Sequence, residues 1–95
     1  MARPPTLADI RRIAADPDGV RVTRHALERM DVRRIPRPAV VRVLQRGYFV
    51  EPPVPALRGG WRFVMAGTNG GDWLRVAAVL EDERLIVVLT AYRES

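Results

Sequence analysis

The only histidine of the chain, His25, stands in the stretch Val22-Thr23-Arg24-His25-Ala26-Leu27-Glu28-Arg29-Met30, with Arg29 four residues after it. Thr23 can act as an N-cap, which sets His25 in the first turn of a helix and Arg29 one turn later on the same face. There the positive end of the helix dipole and the neighbouring guanidinium favour the neutral imidazole that a general base requires. The plain alternative is a capped surface helix that happens to carry a histidine. The chain has no cysteine and one histidine, which leaves no thiolate nucleophile, no Cys-based zinc site and no His-rich metal site. The expected chemistry is metal-free and needs no cofactor.

Ninety-five residues, 47% of them hydrophobic and 28% charged, suit one domain with a single core. We read 1–95 as that domain, with a helix and turn over 1–20 and the main body over 21–93. The apolar runs are strand-length, so no membrane span is expected, and Met1-Ala2-Arg3-Pro4-Pro5 lacks the apolar stretch of a signal peptide. A cytoplasmic protein is the expectation. The net charge of +5 has an unusual source: all 16 basic residues are arginine. Arginine suits bidentate contact with phosphate or carboxylate, although codon bias in a GC-rich genome would leave the same mark.

Thr6-Leu7-Ala8-Asp9 is a capping box, and Leu7, Ile10, Ile13 and Ala14 recur at helical spacing, which predicts a helix from Thr6 to about Ala15. Asp16-Pro17-Asp18-Gly19 ends it. A second helix runs from Thr23 to about Asp31 and buries Ala26, Leu27 and Met30. Pro38 fits the first turn of a third, which ends at Arg46 with Gly47 as its C-cap. Tyr48-Phe49-Val50 reads as a short edge strand stopped by the prolines of Glu51-Pro52-Pro53-Val54-Pro55, with a loop from Pro52 to Gly60. Three strands follow, Trp61 to Gly67, Asp72 to Leu80 and Arg84 to Tyr92, joined by turns at Thr68-Asn69-Gly70-Gly71 and Glu81-Asp82-Glu83. The expected fold is α+β: two to three N-terminal helices packed on one face of a curved antiparallel sheet of three to four strands.

Residues directly opposite in an antiparallel pair share a face. A first turn centred on Asn69-Gly70 sets Arg75 opposite Val64; one centred on Gly70-Gly71 sets it opposite Ala66. A two- or four-residue second turn sets Arg75 opposite Thr90 and Trp73 opposite Tyr92. Phe63, Met65, Leu74, Val76, Leu85, Val87, Leu89 and Ala91 then fall under the helices. Arg62, Trp73, Arg75, Thr90 and Tyr92 fall on the other face, which can hold phosphate with arginine and stack bases on aromatic rings. Two arginines keeping an exposed face soluble would read the same way.

The order Thr23-Arg24-His25-Ala26-x-x-Arg29-Met30, then Ile35 opening a helix that ends in Gly47, then Trp61-Arg62-Phe63, then Leu85-Ile86-Val87-Val88-Leu89-Thr90-Ala91-Tyr92, resembles a bacterial domain-of-unknown-function family. That family is related to the barnase/EndoU/colicin/RelE ribonuclease superfamily and is similar in layout to MqsR-type toxins. The resemblance implies helices followed by a curved antiparallel sheet, and metal-independent RNA cleavage, often as the toxin of a toxin–antitoxin pair. It implies a site of His25, Arg29, Arg62, Thr90 and Tyr92. Arg75 enters from strand pairing alone and joins Trp73 and Arg24 as RNA-binding residues. The lysines of the related toxins are absent, so arginine must take their part.

The function expected is therefore a metal-independent endoribonuclease-like toxin that cleaves RNA through its own 2′-OH, with RNA and an acidic antitoxin as partners. The alternative is a non-catalytic module that binds RNA or protein on the same arginine-lined face.

Overall fold

A computed structural model describes residues 3–94. Met1 and Ala2, on which the reading of the N-terminus partly rests, and Ser95 lie outside the described residues. The first helix starts where its capping box dictates. The Thr6 hydroxyl accepts from the Asp9 N–H at 3.1 Å, and the Asp9 carboxylate accepts from the Thr6 N–H at 2.8 Å. This helix, α1 (Leu7–Ala14), buries Ile10, Ile13 and Ala14. A 3-10 turn, Pro17–Gly19, leads into β1 (Val20–Val22), followed by α2 (Arg24–Val32) and α3 (Arg37–Arg46). Four strands close the chain: β2 (Tyr48–Pro55), β3 (Trp61–Asn69), β4 (Asp72–Glu81) and β5 (Leu85–Arg93).

The capping box also sets a pH dependence. The Thr6 backbone hydrogen bond, then the Thr6 hydroxyl and Arg3, hold the Asp9 carboxyl below its ordinary value of 3.8. A lowered folded value stabilises the native state above the unfolded value and loses that effect as pH falls through it. Asp9→Asn is therefore expected to lower the urea midpoint at pH 7, with the gap to wild type closing on acidification below pH 3.8. Thr6→Ala removes the other half of the box and should cost about 1 kcal/mol. A gap that stays constant from pH 7 down to acid unfolding would refute the assignment.

The strand order is β1-β5-β4-β3-β2, and β1 runs parallel to β5 while the other pairs are antiparallel. The sheet is thus five-stranded and mixed, not antiparallel with three to four strands. The extra strand is three residues long, too short for alternation to show between a turn and a helix cap. The loop expected from Pro52 is also corrected, since β2 continues to Pro55. Its pairing with β3 steps from Glu51↔Val64 to Val54↔Arg62, passing over Pro52 and Pro53 at a register shift. An edge strand tolerates prolines there because a missing N–H on the outer side breaks no ladder.

The first hairpin turns on Gly70 and Gly71, both at positive φ, and sets Arg75 opposite Ala66. The second departs from expectation. Glu81 pairs with Leu85, so the connection is three residues, with Asp82 and Glu83 at φ 49° and 62°. An odd loop reverses the phase of β5: Ile86 and Val88 enter the core, while Leu85 and Val87 take the other face with Val79. Leu89 then bulges between the pairs Ala78↔Val88 and Ala77↔Thr90, and phase is restored. Ala91 therefore lies under the helices as expected, and Tyr92 pairs with Arg75. The expectation that Thr90 would face Arg75 is off by two pairs, since Thr90 faces Ala77, and for the same reason Tyr92 faces Arg75 and not Trp73.

The core lies between the helices and one sheet face, with Ile10, Ala26, Met30, Val40, Leu44, Phe63, Met65, Val76, Ile86 and Val88 all buried. Leu27, expected in it, is 49% exposed, because α2 presents only Ala26 and Met30 inward. Gly47 caps α3 at φ −80°, so left-handed backbone is not its reason. A Cβ there would come within 2.3 Å of the Ala66 carbonyl oxygen; glycine lets the helix end rest on β3.

Candidate functional site

The helix α2 is started by Thr23, whose hydroxyl accepts from the Ala26 N–H at 3.0 Å. Its backbone is tied to the sheet at the same point, where the Thr23 N–H donates to the Val88 carbonyl at 3.2 Å. With Ala26 and Met30 turned inward, His25 and Arg29 lie exposed along one flank, one turn apart. Among the described residues neither side chain has a hydrogen bond or ion pair. Arg24 projects on the outer side of α2, against Glu28 at 3.7 Å, and is not brought to the sheet.

The residue that the sequence reading passed over is Arg33. It extends the row His25–Arg29 by four more residues, and because 3.6 residues make a turn, each step of four drifts toward the buried side. At Arg33 the drift meets the sheet: its Nη1 donates to Thr90 Oγ1 at 3.2 Å and to the Ala91 carbonyl at 2.9 Å. The continued spacing of four was the signal that could have found it. Arg93 closes the same corner, donating to the Arg33 and Arg34 carbonyls at the end of α2 and pairing with Asp72 at 3.2 Å.

On the sheet face away from the helices, Arg75 pairs with Tyr92, Thr90 lies two residues along β5, and Trp73 two residues along β4. Trp73 meets Tyr48 edge to face at 6.4 Å between ring centroids. Arg75 is engaged by Glu94, through Nε at 3.0 Å and through Nη2, and that hydrogen bond raises its pKa above the ordinary arginine value. Arg62 shares the face but not the neighbourhood. It pairs with Val79, four residues from Arg75 or about 13 Å along the strand, and makes an ion pair with Glu51 at 3.6 Å. Arg62 and Arg75 thus stand at different points along the sheet, each engaged by its own carboxylate.

The arrangement is an open surface rather than a cleft. Clefts of about 430, 270 and 260 Å³ lie at Glu81, Asp82, Arg84 and Leu85, at Arg58–Gly60 with Glu81 and Asp82, and between Ala14–Pro17 and Arg37, Val41 and Gln45, and none is lined by His25, Arg29, Arg33, Arg75, Thr90 or Tyr92. A convex helix row beside an aromatic sheet face can hold an extended polyanion, with guanidiniums toward its backbone and rings toward its bases. Among the described residues no helix is long and apolar enough to cross a membrane. Nor do three His, Cys, Asp or Glu side chains gather there as a metal ligand set.

One family model, described as "Domain of unknown function (DUF4258)", matches residues 22–93. No curated protein and no solved structure matches the chain. The matched span runs from the last residue of β1 to the end of β5 and takes in His25, Arg29, Arg33, Thr90 and Tyr92, so the chain belongs to the DUF4258 family.

Proposed function

We propose that this chain is a metal-independent endoribonuclease-like toxin domain that acts on unpaired RNA in the cytoplasm. The observation that carries the reading is the row His25–Arg29–Arg33, whose last member is bonded to Thr90 on the face that bears Arg75, Tyr92 and Trp73. The motif order that resembles the barnase/EndoU/colicin/RelE ribonucleases and the MqsR-type toxins supports it further. His25 removes the proton from a ribose 2′-OH, and that oxygen attacks the adjacent phosphorus. The bond to the 5′ oxygen breaks, the leaving oxygen takes a proton from water, and a 2′,3′-cyclic phosphate remains. Arg29 stabilises the charge that grows on the phosphate, Arg33 and Thr90 hold the strand at the sheet edge, and Tyr92 and Trp73 stack bases. Arg62 and Arg75, four residues apart in the sheet register, take different positions along the RNA in this reading. A +5 chain of this kind calls for an acidic antitoxin segment that covers the arginines.

The same separation of Arg62 from Arg75 favours a second reading, a non-catalytic module that binds RNA or an acidic protein segment across the open face. Incubation of purified protein with single-stranded RNA in a metal chelator separates the two. Expected are products ending in a 2′,3′-cyclic phosphate, and binding that weakens steeply with salt. Salt-dependent binding without any cleavage selects the module, and cleavage that disappears with chelator overturns the metal-free mechanism.

A further inference from the structure

Tyr48 and Trp73 are 49% and 47% exposed, large rings left in solvent on the face that carries Arg75. Their planes meet at 70° in an edge-to-face contact, so they form a corner in which one ring is a floor and the other a wall. Two arginines that the catalytic reading does not use lie on the last turns of α3, the helix that leads into Tyr48. Arg42 and Arg46, one turn apart on α3, line a cleft of about 140 Å³ with Val43, Gly47, Gly67 and Thr68. The cleft and the corner share their backbone: Gly47 precedes Tyr48, and Thr68 pairs with Trp73 across the β3–β4 ladder. The contact is tight, since a Cβ on Gly67 would lie 3.3 Å from the Gly47 Cα.

Charge balance separates these arginines from others on the molecule. Arg62, Arg75 and Arg93 are held by Glu51, Glu94 and Asp72, and a phosphate would have to displace those carboxylates. Among the described residues Arg42 and Arg46 form no ion pair. Complementing the negative end of the α3 dipole accounts for Arg46 but not for Arg42, a turn earlier. A cleft lined by unpaired guanidiniums, joined through Gly47 and Thr68 to two half-exposed rings, matches a nucleotide with an exposed base and an adjoining phosphate.

We propose that Tyr48 and Trp73 stack one unpaired base while Arg42 and Arg46 take its phosphate, forming a nucleotide subsite at the β2 edge, remote from His25. The subsite rests on the RNA reading and adds to it a position outside the cleavage point. Titration of the protein with oligouridine of about ten nucleotides, followed by Trp73 and Trp61 fluorescence, tests it. Tyr48→Leu should weaken binding about tenfold and Tyr48→Phe should keep it, because stacking needs the ring and not the hydroxyl. The double variant Arg42→Gln/Arg46→Gln should flatten the slope of log affinity against log salt by about 1.4. Circular dichroism confirms that each variant is folded. If wild type binds oligouridine and all these variants bind identically, the subsite is wrong and the RNA reading stands; if wild type does not bind, both are wrong.

Discussion

His25→Ala is expected to slow RNA cleavage by roughly two to four orders of magnitude, the usual worth of a positioned general base, and to leave RNA affinity nearly unchanged. The variant isolates chemistry from folding. His25 is exposed, its side chain has no hydrogen bond among the described residues, and the start of α2 is secured by the Thr23 hydroxyl on the Ala26 N–H at 3.0 Å. Arg29→Ala should instead reduce both affinity and turnover, and Arg29→Lys should restore them in part, since lysine supplies the charge without the bidentate fork. Thr90→Val probes the row from its other end by removing one of the two acceptors of Arg33 while the Ala91 carbonyl remains. Single-turnover cleavage of a labelled single strand, with affinity measured in parallel, is the assay. His25→Ala that cleaves as fast as wild type removes histidine catalysis and leaves the binding module as the reading to pursue.

Phe63→Ala is expected to bring the domain close to unfolding. Phe63 is fully buried in the core and meets Phe49 edge to face at 5.7 Å. Truncating a buried phenylalanine costs about 3–5 kcal/mol, and an aromatic pair adds roughly 0.5–1.5 kcal/mol beyond area. A domain of this length has a total stability of about 5–14 kcal/mol. At about 4–8 °C per kcal/mol for small domains, Tm should fall by at least about 12 °C. Phe63→Leu, which keeps most of the volume, should fall much less. Thermal melts followed by far-ultraviolet circular dichroism decide it, and a loss under about 5 °C for Phe63→Ala would mean that the packing of β3 against the helices is misassigned.

Much of this protein is local and was therefore legible. The Thr6 and Thr23 caps, the spacing of Ile10, Ile13 and Ala14, and a turn within Thr68-Asn69-Gly70-Gly71 act over a few residues, so they follow from residue types, although the choice of Gly70-Gly71 over Asn69-Gly70 did not. The pairing of His25 with Arg29 on one helix flank follows for the same reason. Phase in the last strand did not, because every residue from Leu85 to Leu89 is apolar and either alternation buries equally well. Only the three-residue loop and the Leu89 bulge chose Ile86 and Val88 for the core, with Thr90 and Tyr92 returned to the open face beyond it. Arg33 joining Thr90, 57 residues later in the chain, depends on where α2 comes to rest on β5. So does the removal of Arg62 from Arg75, which register sets four residues apart along the sheet. Distances between elements depend on how their buried faces pack together, and that information resides in no single segment.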